Sequence, residues 1–319
     1  MTDQSTDASA QTAGLHRVPW GAVALFVGLA YGLAWLVTLP LWRADPDAAG
    51  TSLLAGLLAP VMMLTPGIAA LVVVFLARTP RTGRARFLGL WPLRPAKRVV
   101  WLTVAALFGT LAIGFLTVGV AALAGWVTLD LVNFSGFAAL NEAALPEGMD
   151  PGILPAPGLL IALQLALLPL GAVLNSFLSL GEELGWRGWL LPALRPLGTW
   201  PALVLSGAIW GVWHAPLTLL GHNYGLFDWR GVALMTINCV LWGMLIGWLR
   251  LRSGSVWPAV LAHGALNAVG NITLLFAAAG GELRPELASI VGVAGWIVVA
   301  AVTAALALAG QFTKQPELA

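Results

Sequence analysis

Apolar runs of about twenty residues recur along almost the whole of this chain, separated by short polar connections. A run of that length is what a helix needs to cross the hydrocarbon core of a bilayer, roughly 30 Å thick. Eight such runs are present, at 19–41, 52–76, 99–126, 158–180, 201–220, 229–249, 256–276 and 287–309. The expected fold class is therefore all-α: a polytopic membrane helical bundle of about eight transmembrane helices. Composition agrees. Hydrophobic residues make up 59% of the 319 and charged residues only 9%, against about 25% charged in a soluble domain. The single cysteine, Cys239, rules out an intramolecular disulfide and a Cys-rich zinc site, and reads as a packing residue.

The polar connections alternate in charge. Arg78, Arg81, Arg84, Arg86, Arg94, Lys97 and Arg98 lie between the second and third runs, with no acid among them. Arg195 follows the fourth run, and Arg250 and Arg252 follow the sixth. The remaining connections carry Asp45 and Asp47, then Asp130, Glu142, Glu147 and Asp150, then Asp228, then Glu282 and Glu286. The positive-inside rule makes the basic set cytoplasmic. Eight spans then put both termini on that side of what is expected to be a bacterial plasma membrane. The 79–98 connection alternates Arg with Phe87, Leu88, Leu90, Trp91 and Leu93, as an amphipathic segment on the inner leaflet would. The 127–157 connection is expected to be irregular, a partial lid. Residues 1–17, polar and poor in large apolar side chains, read as a disordered cytoplasmic tail. No cleavable signal is evident, so the first run reads as a retained helix. The expected organisation is this tail, then N-terminal transmembrane helices and loops over 18–157. A core follows over 158–276, and a last helix with a short tail over 277–319.

Intramembrane charge is costly and marks function by default. Three runs carry it. Glu182, Glu183 and Arg187 follow the fourth run, which should continue as helix through Glu182 to about Leu194, because no Pro or Gly pair stops it there before Pro192. Glu183 and Arg187, four residues apart, share a helical face and should form an ion pair. That leaves Glu182, about 100° away, free for other work. His214 stands in the fifth run beside Pro216, with Trp210 one turn earlier on the same face. His263 and Asn267 share a face of the seventh, and could equally be an interhelical hydrogen-bond pair holding the bundle together. One site would account for all of these groups. Two histidines and a carboxylate match the ligand count of a catalytic zinc, making Glu182, His214 and His263 candidate ligands for Zn2+ or another divalent metal. A metal-free site is the other route: Glu182 activates water while His and Asn donors stabilise an oxyanion. By contrast, His222 lies in an outer loop and reads as ordinary loop chemistry. Gly207/Gly211 and Gly243/Gly247 read as close helix packing.

The depths of these groups do not agree at first sight. Glu182 falls at the end of its run, whereas His214 lies nearly 20 Å along its own, at 1.5 Å per residue.

At these residues the sequence resembles the CPBP family, also called the Abi or CAAX-protease-like family. Its pattern is Glu-Glu-x-x-x-Arg, then Phe-x-x-x-His, then His-x-x-x-Asn or Asp, on successive membrane helices. Glu182-Glu183-Leu184-Gly185-Trp186-Arg187 and His263-Gly264-Ala265-Leu266-Asn267 are complete matches. Trp210-Gly211-Val212-Trp213-His214 departs by putting Trp where the family has Phe. The resemblance covers about 160–275. It implies an all-helical intramembrane protease with a site opening towards the cytoplasm. It implies Glu182 as the base that activates water, His214 as the holder of that water or of a metal, and His263 and Asn267 as further ligands or oxyanion donors. Glu183 and Arg187 would be supports. Eukaryotic relatives trim prenylated CAAX proteins, and many bacterial ones are linked to peptide maturation or bacteriocin self-immunity. This chain looks like the second group.

The expected function is an intramembrane endopeptidase acting on a membrane-embedded peptide or protein, with the lipid bilayer as its other partner and no nucleic acid. A non-enzymatic immunity protein and a proton-coupled transporter are the alternatives. Internally similar halves with broken helices would favour the transporter, and the sequence has no such symmetry.

Overall fold

The computed structural model of the chain describes residues 15–45, 48 and 50–314. Most of the expected N-terminal tail, Asp47 and the last five residues lie outside the described residues. The fold is helical. Among the described residues the only extended pairing is one antiparallel bridge, between Leu129 and Ala277.

In chain order the helices are α1 (Trp20–Arg43), α2 (Thr51–Met62), α3 (Thr65–Phe75), α4 (Arg84–Phe87), α5 (Ala96–Leu123) and α6 (Ser135–Ala143). Then come α7 (Pro157–Glu183), a π-helical segment (Leu184–Leu190), α8 (Leu191–Leu194), α9 (Thr199–Trp213) and α10 (Ala215–Thr218). The chain ends with α11 (Trp229–Ser253), α12 (Trp257–Ala268), α13 (Ile272–Phe276), α14 (Pro285–Ala288) and α15 (Val293–Leu308). Among the described residues, seven stretches are long and apolar enough to cross a membrane: Trp20–Arg43, Thr51–Phe75, Ala96–Leu123, Pro157–Leu197, Trp229–Ser253, Trp257–Phe276 and Pro285–Leu308.

The fifth expected span, 201–220, does not reach that length. Its helix α9 has 15 residues, about 22 Å at the helical rise. It stops at Trp213, and four-residue α10 follows on from His214. Pro216 is the cause: it has no N–H for the carbonyl four residues back, and its ring crowds that turn.

The fourth span is longer than its apolar run. Helical structure continues without a break from Pro157 to Leu197, through Glu182 and on to the end of α8 at Leu194, as expected. Glu182 is thus fifteen residues from the end of that stretch, as deep as His214 is from the start of α9. The two depths agree once the π segment and α8 are counted as part of the span.

Burial separates the two halves of this long element. On α7, Leu163, Leu167, Leu170, Leu174 and Phe177 are exposed at alternating spacings of four and three. That makes one apolar stripe, which lipid covers in a membrane protein. From Glu182 to Leu194 every residue except Leu184 is buried. Here the helix is surrounded on all sides, by α3, α9 and the segment before α5.

The bundle packs α12 between α7 and α5, α9 on α11, and α1 on α3. Two glycines set the spacing around the polar residues. A Cβ on Gly264, next to His263, would run into the backbone carbonyl of Ala172 and the side chain of Ser176 on α7. One on Gly211, three residues before His214, would collide with the Cα of Thr236 on α11. Small residues of this kind let membrane helices come into backbone contact.

The connections differ from expectation in detail. Before α5 begins at Ala96, the 79–98 stretch holds four-residue α4, whose last residue Phe87 and the following Leu88 are buried. The 127–157 connection is more regular than expected. It contains α6 and is pinned to the loop after α13, where Asp130 N donates to Phe276 O at 2.9 Å and Ala278 N to Thr128 O at 2.8 Å.

Candidate active site

Glu182 and Glu183 end α7, and the helix that follows widens into π geometry over Leu184–Leu190. Such insertions collect at functional sites. Here the widened turn fits against its neighbours because Gly185 lies against Pro66 of α3, where any added Cβ would come within 2.5 Å of the proline Cβ. Both carboxylates are buried, at 2% and 0% exposure, so each needs partners.

Glu183 has two. Its Oε1 accepts from Arg187 Nη1 at 2.7 Å, the expected i,i+4 ion pair, and from His263 Nδ1 at 2.8 Å. The second bond is tertiary, from α7 to α12. It fixes the imidazole: with Nδ1–H donating to a carboxylate, Nε2 is turned the other way.

Glu182 has a different set. Its Oε2 accepts from the indole N–H of Trp210 at 2.7 Å and of Trp186 at 3.3 Å. Its Oε1 faces His263 Nε2 at 3.9 Å, too far for a direct hydrogen bond. One carboxylate oxygen is therefore held by two indoles and the other is directed at an imidazole nitrogen. Arg187 braces both halves. It pairs with Glu183, and its guanidinium stacks 4.2 Å from the ring centre of Trp210. The Trp210 ring also meets His263 edge-on, with centroids 5.3 Å apart.

His214 also packs against that indole. Its ring lies 5.8 Å from Trp210 and 4.8 Å from Trp213 between centroids. Its Nδ1 donates to Trp210 O at 3.0 Å, the carbonyl exposed where α9 ends, and Cys239 Sγ is 3.8 Å from the same nitrogen. Asn267, one turn beyond His263, is exposed, and its Nδ2 donates to Ser179 Oγ of α7 at 3.4 Å. Of the residues expected from sequence, Glu182, Glu183, Arg187, Trp210 and His263 form one contiguous cluster. His214 lies beside it against the Trp210 ring, and Asn267 one turn beyond His263.

Four contacts escaped the sequence reading. Trp186 is on the same helical face as Glu182, four residues on, a spacing that could have revealed it. Ser179 and Cys239 carry no chemical signal in sequence and are placed by packing alone. The Glu183–His263 bond is the fourth, because nothing local says which carboxylate an imidazole eighty residues away will choose.

A divalent metal would use Glu182 Oε1 and the Nε2 atoms of His263 and His214. The donor types suit it, and both imidazoles have Nδ1 occupied, as metal ligands generally do. Yet among the described residues no three His, Cys, Asp or Glu side chains come together as a ligand set. With no such set in place, this arrangement does not fit a three-ligand metal centre.

Fold and site together define a polytopic helical membrane protein with a carboxylate–imidazole centre buried between its helices. Residues 162–269, about a third of the chain, match the family model described as type II CAAX prenyl endopeptidase Rce1-like. It is similar to CAAX prenyl protease 2 of Methanococcus maripaludis, with 30% identity over 93 residues, which is 27% of this chain and 34% of that protein. The chain thus spans about a third of the length of this curated relative. The matched segment runs from α7 to α12 and contains every residue of the cluster.

Proposed function

We propose that the protein is an intramembrane endopeptidase in which Glu182 is the general base for attack of water on a peptide bond. One observation carries this reading: Glu182 Oε1 and His263 Nε2, brought from two helices, face each other at 3.9 Å while the remaining polar atoms of both side chains are tied back. Two acceptors so placed can receive the two hydrogens of one water. Its oxygen lone pair is then free to attack the carbonyl carbon of a peptide bond.

Glu182 takes a proton as the water attacks and returns it to the leaving amine, so one carboxylate serves both halves of hydrolysis. Glu183 and Arg187 hold the His263 ring in register. Asn267, one turn away with an exposed amide, is placed to donate to the oxyanion. His214 presents Nε2 beside Trp210 and orients water at the edge of the site. No step needs a metal. The match of 162–269 to the endopeptidase family model supports peptide-bond cleavage, and a membrane-embedded peptide or protein is the substrate class that fits a site between spanning helices. The charge pattern of the connections supports an orientation with their basic ends on the cytoplasmic side. The core over 158–276 carries the chemistry, and the helices on either side of it are support.

The test is a comparison of membrane peptides in cells carrying wild-type protein or Glu182→Gln. Uncleaved substrate should accumulate in the variant while the protein remains inserted and at normal abundance. Identical peptide profiles, with protection or solute uptake intact after alanine at both His214 and His263, would instead identify an immunity protein or a transporter.

A further inference from the structure

The basic connection between α3 and α5 is attached to the site helices almost entirely through its backbone. Trp189 Nε1 of the π segment donates to Thr79 O at 2.9 Å. Arg250 of α11, 1% exposed, reaches Phe87 O through Nη2 at 2.8 Å and Arg187 O through Nε at 3.1 Å. Ser255 Oγ and Val256 N donate to Gly89 O at 3.1 and 3.0 Å, and Trp257 Nε1 to Leu90 O at 3.3 Å. The connection thus joins the π segment after the Glu pair to the start of α12, which carries His263.

Its cationic side chains take no part in this attachment. Arg81, Arg86, Arg94 and Lys97 are exposed, and none forms an ion pair among the described residues. Trp91, between them, is 66% exposed. Basic side chains around an exposed indole at the end of a helical bundle match the chemistry of a membrane interface. There Trp settles at headgroup depth and each basic residue gains from anionic lipid. Arg84 differs: it stacks on Phe75 at 5.0 Å and belongs to the fold.

We propose that this connection is a docking surface for anionic phospholipid headgroups. Occupancy of the surface stiffens the π segment and the start of α12, and so the alignment of Glu182 with His263. Arg250 is the positioning residue that transmits this effect, because one guanidinium holds a carbonyl of the connection and a carbonyl of the π segment.

Native mass spectrometry of detergent-purified full-length protein, titrated with phosphatidylglycerol and separately with phosphatidylcholine, tests the surface. Wild type should favour phosphatidylglycerol by about tenfold, and a variant with Arg81, Arg86, Arg94 and Lys97 all changed to Gln should lose that preference. Equal retention of the two lipids by wild type, or an unchanged preference in the variant, overturns the surface. Hydrogen exchange over 184–194 tests the coupling in the same samples. It should slow on adding phosphatidylglycerol to wild type and not to the variant, and an identical rate with either lipid overturns the coupling. Neither readout requires cleavage, so both stand apart from the proposed activity.

Discussion

Two adjacent glutamates with almost identical burial end up with separate tasks because of what surrounds them. Glu183 meets a guanidinium and an imidazole N–H, and Glu182 meets two indoles. The contrast makes their substitutions distinguishable. Glu183→Ala leaves Arg187 buried without a carboxylate and should cost about 3–5 kcal/mol of stability, visible as a lowered melting temperature in detergent. Glu182→Gln keeps the volume and should melt near wild type while losing cleavage by about 10²–10⁴-fold. Trp210→Phe separates a ring from its N–H. The stack under Arg187 survives and the 2.7 Å bond to Glu182 does not. Turnover should fall by about tenfold or more with KM little changed, since the loss acts on the orientation of the base. A rise in KM alone would place Trp210 in substrate binding instead. The departure from the family pattern at this position, Trp for Phe, thus carries a donor as well as an aromatic face.

At the level of elements, close approach decides whether the two halves of the site meet. Gly264 lets α12 lie against the backbone of α7 beside His263. Gly264→Val should separate the helices, destabilise the protein by about 1–3 kcal/mol and suppress cleavage, although position 264 touches neither Glu182 nor a peptide. Normal cleavage in that variant would mean that the α7–α12 spacing is not what aligns the site. Outside the membrane, the turn before α6 is organised by Asp130, whose carboxylate accepts from the N–H groups of Asn133 at 2.9 Å and Val132 at 3.1 Å. Those bonds, the Asn133 N–H foremost, hold its pKa down to about 2. Because the folded value lies below the ordinary carboxylate value, the contribution to the turn is complete above about pH 4 and disappears as pH falls towards 2. A carboxyl resonance of Asp130 titrating near 4 would contradict this.

Much of this architecture was legible in advance, because bilayer thickness imposes helix length and apolar runs expose it. The fifth run was misjudged: counting apolar residues gives no weight to Pro216, which breaks the helix after Trp213. The ion pair of Glu183 with Arg187 followed from helical spacing. The bond of Glu183 to His263 and the distance of His214 from Glu182 depend on how α7, α9 and α12 pack, which local periodicity does not encode.

For the molecule as a whole, the carboxylate–imidazole centre is built from three helices, packed among tryptophans and supported at one end by a basic connection. The proposed mechanism uses no metal. Purified protein should therefore retain cleavage in the presence of chelators and contain zinc well below one equivalent. Stoichiometric zinc that disappears in His263→Ala would show that His214 swings in to complete a ligand set. The convergence of Glu182 and His263 on one water is best examined by a double-mutant cycle. Cleavage of a substrate peptide, identified by its accumulation in the Glu182→Gln strain, would be timed in proteoliposomes for Glu182→Gln, His263→Ala and the pair. Groups acting as one unit are not additive, so the double variant should be no slower than the worse single variant. Losses that multiply would mean that the two residues act separately, and that no shared water lies between them.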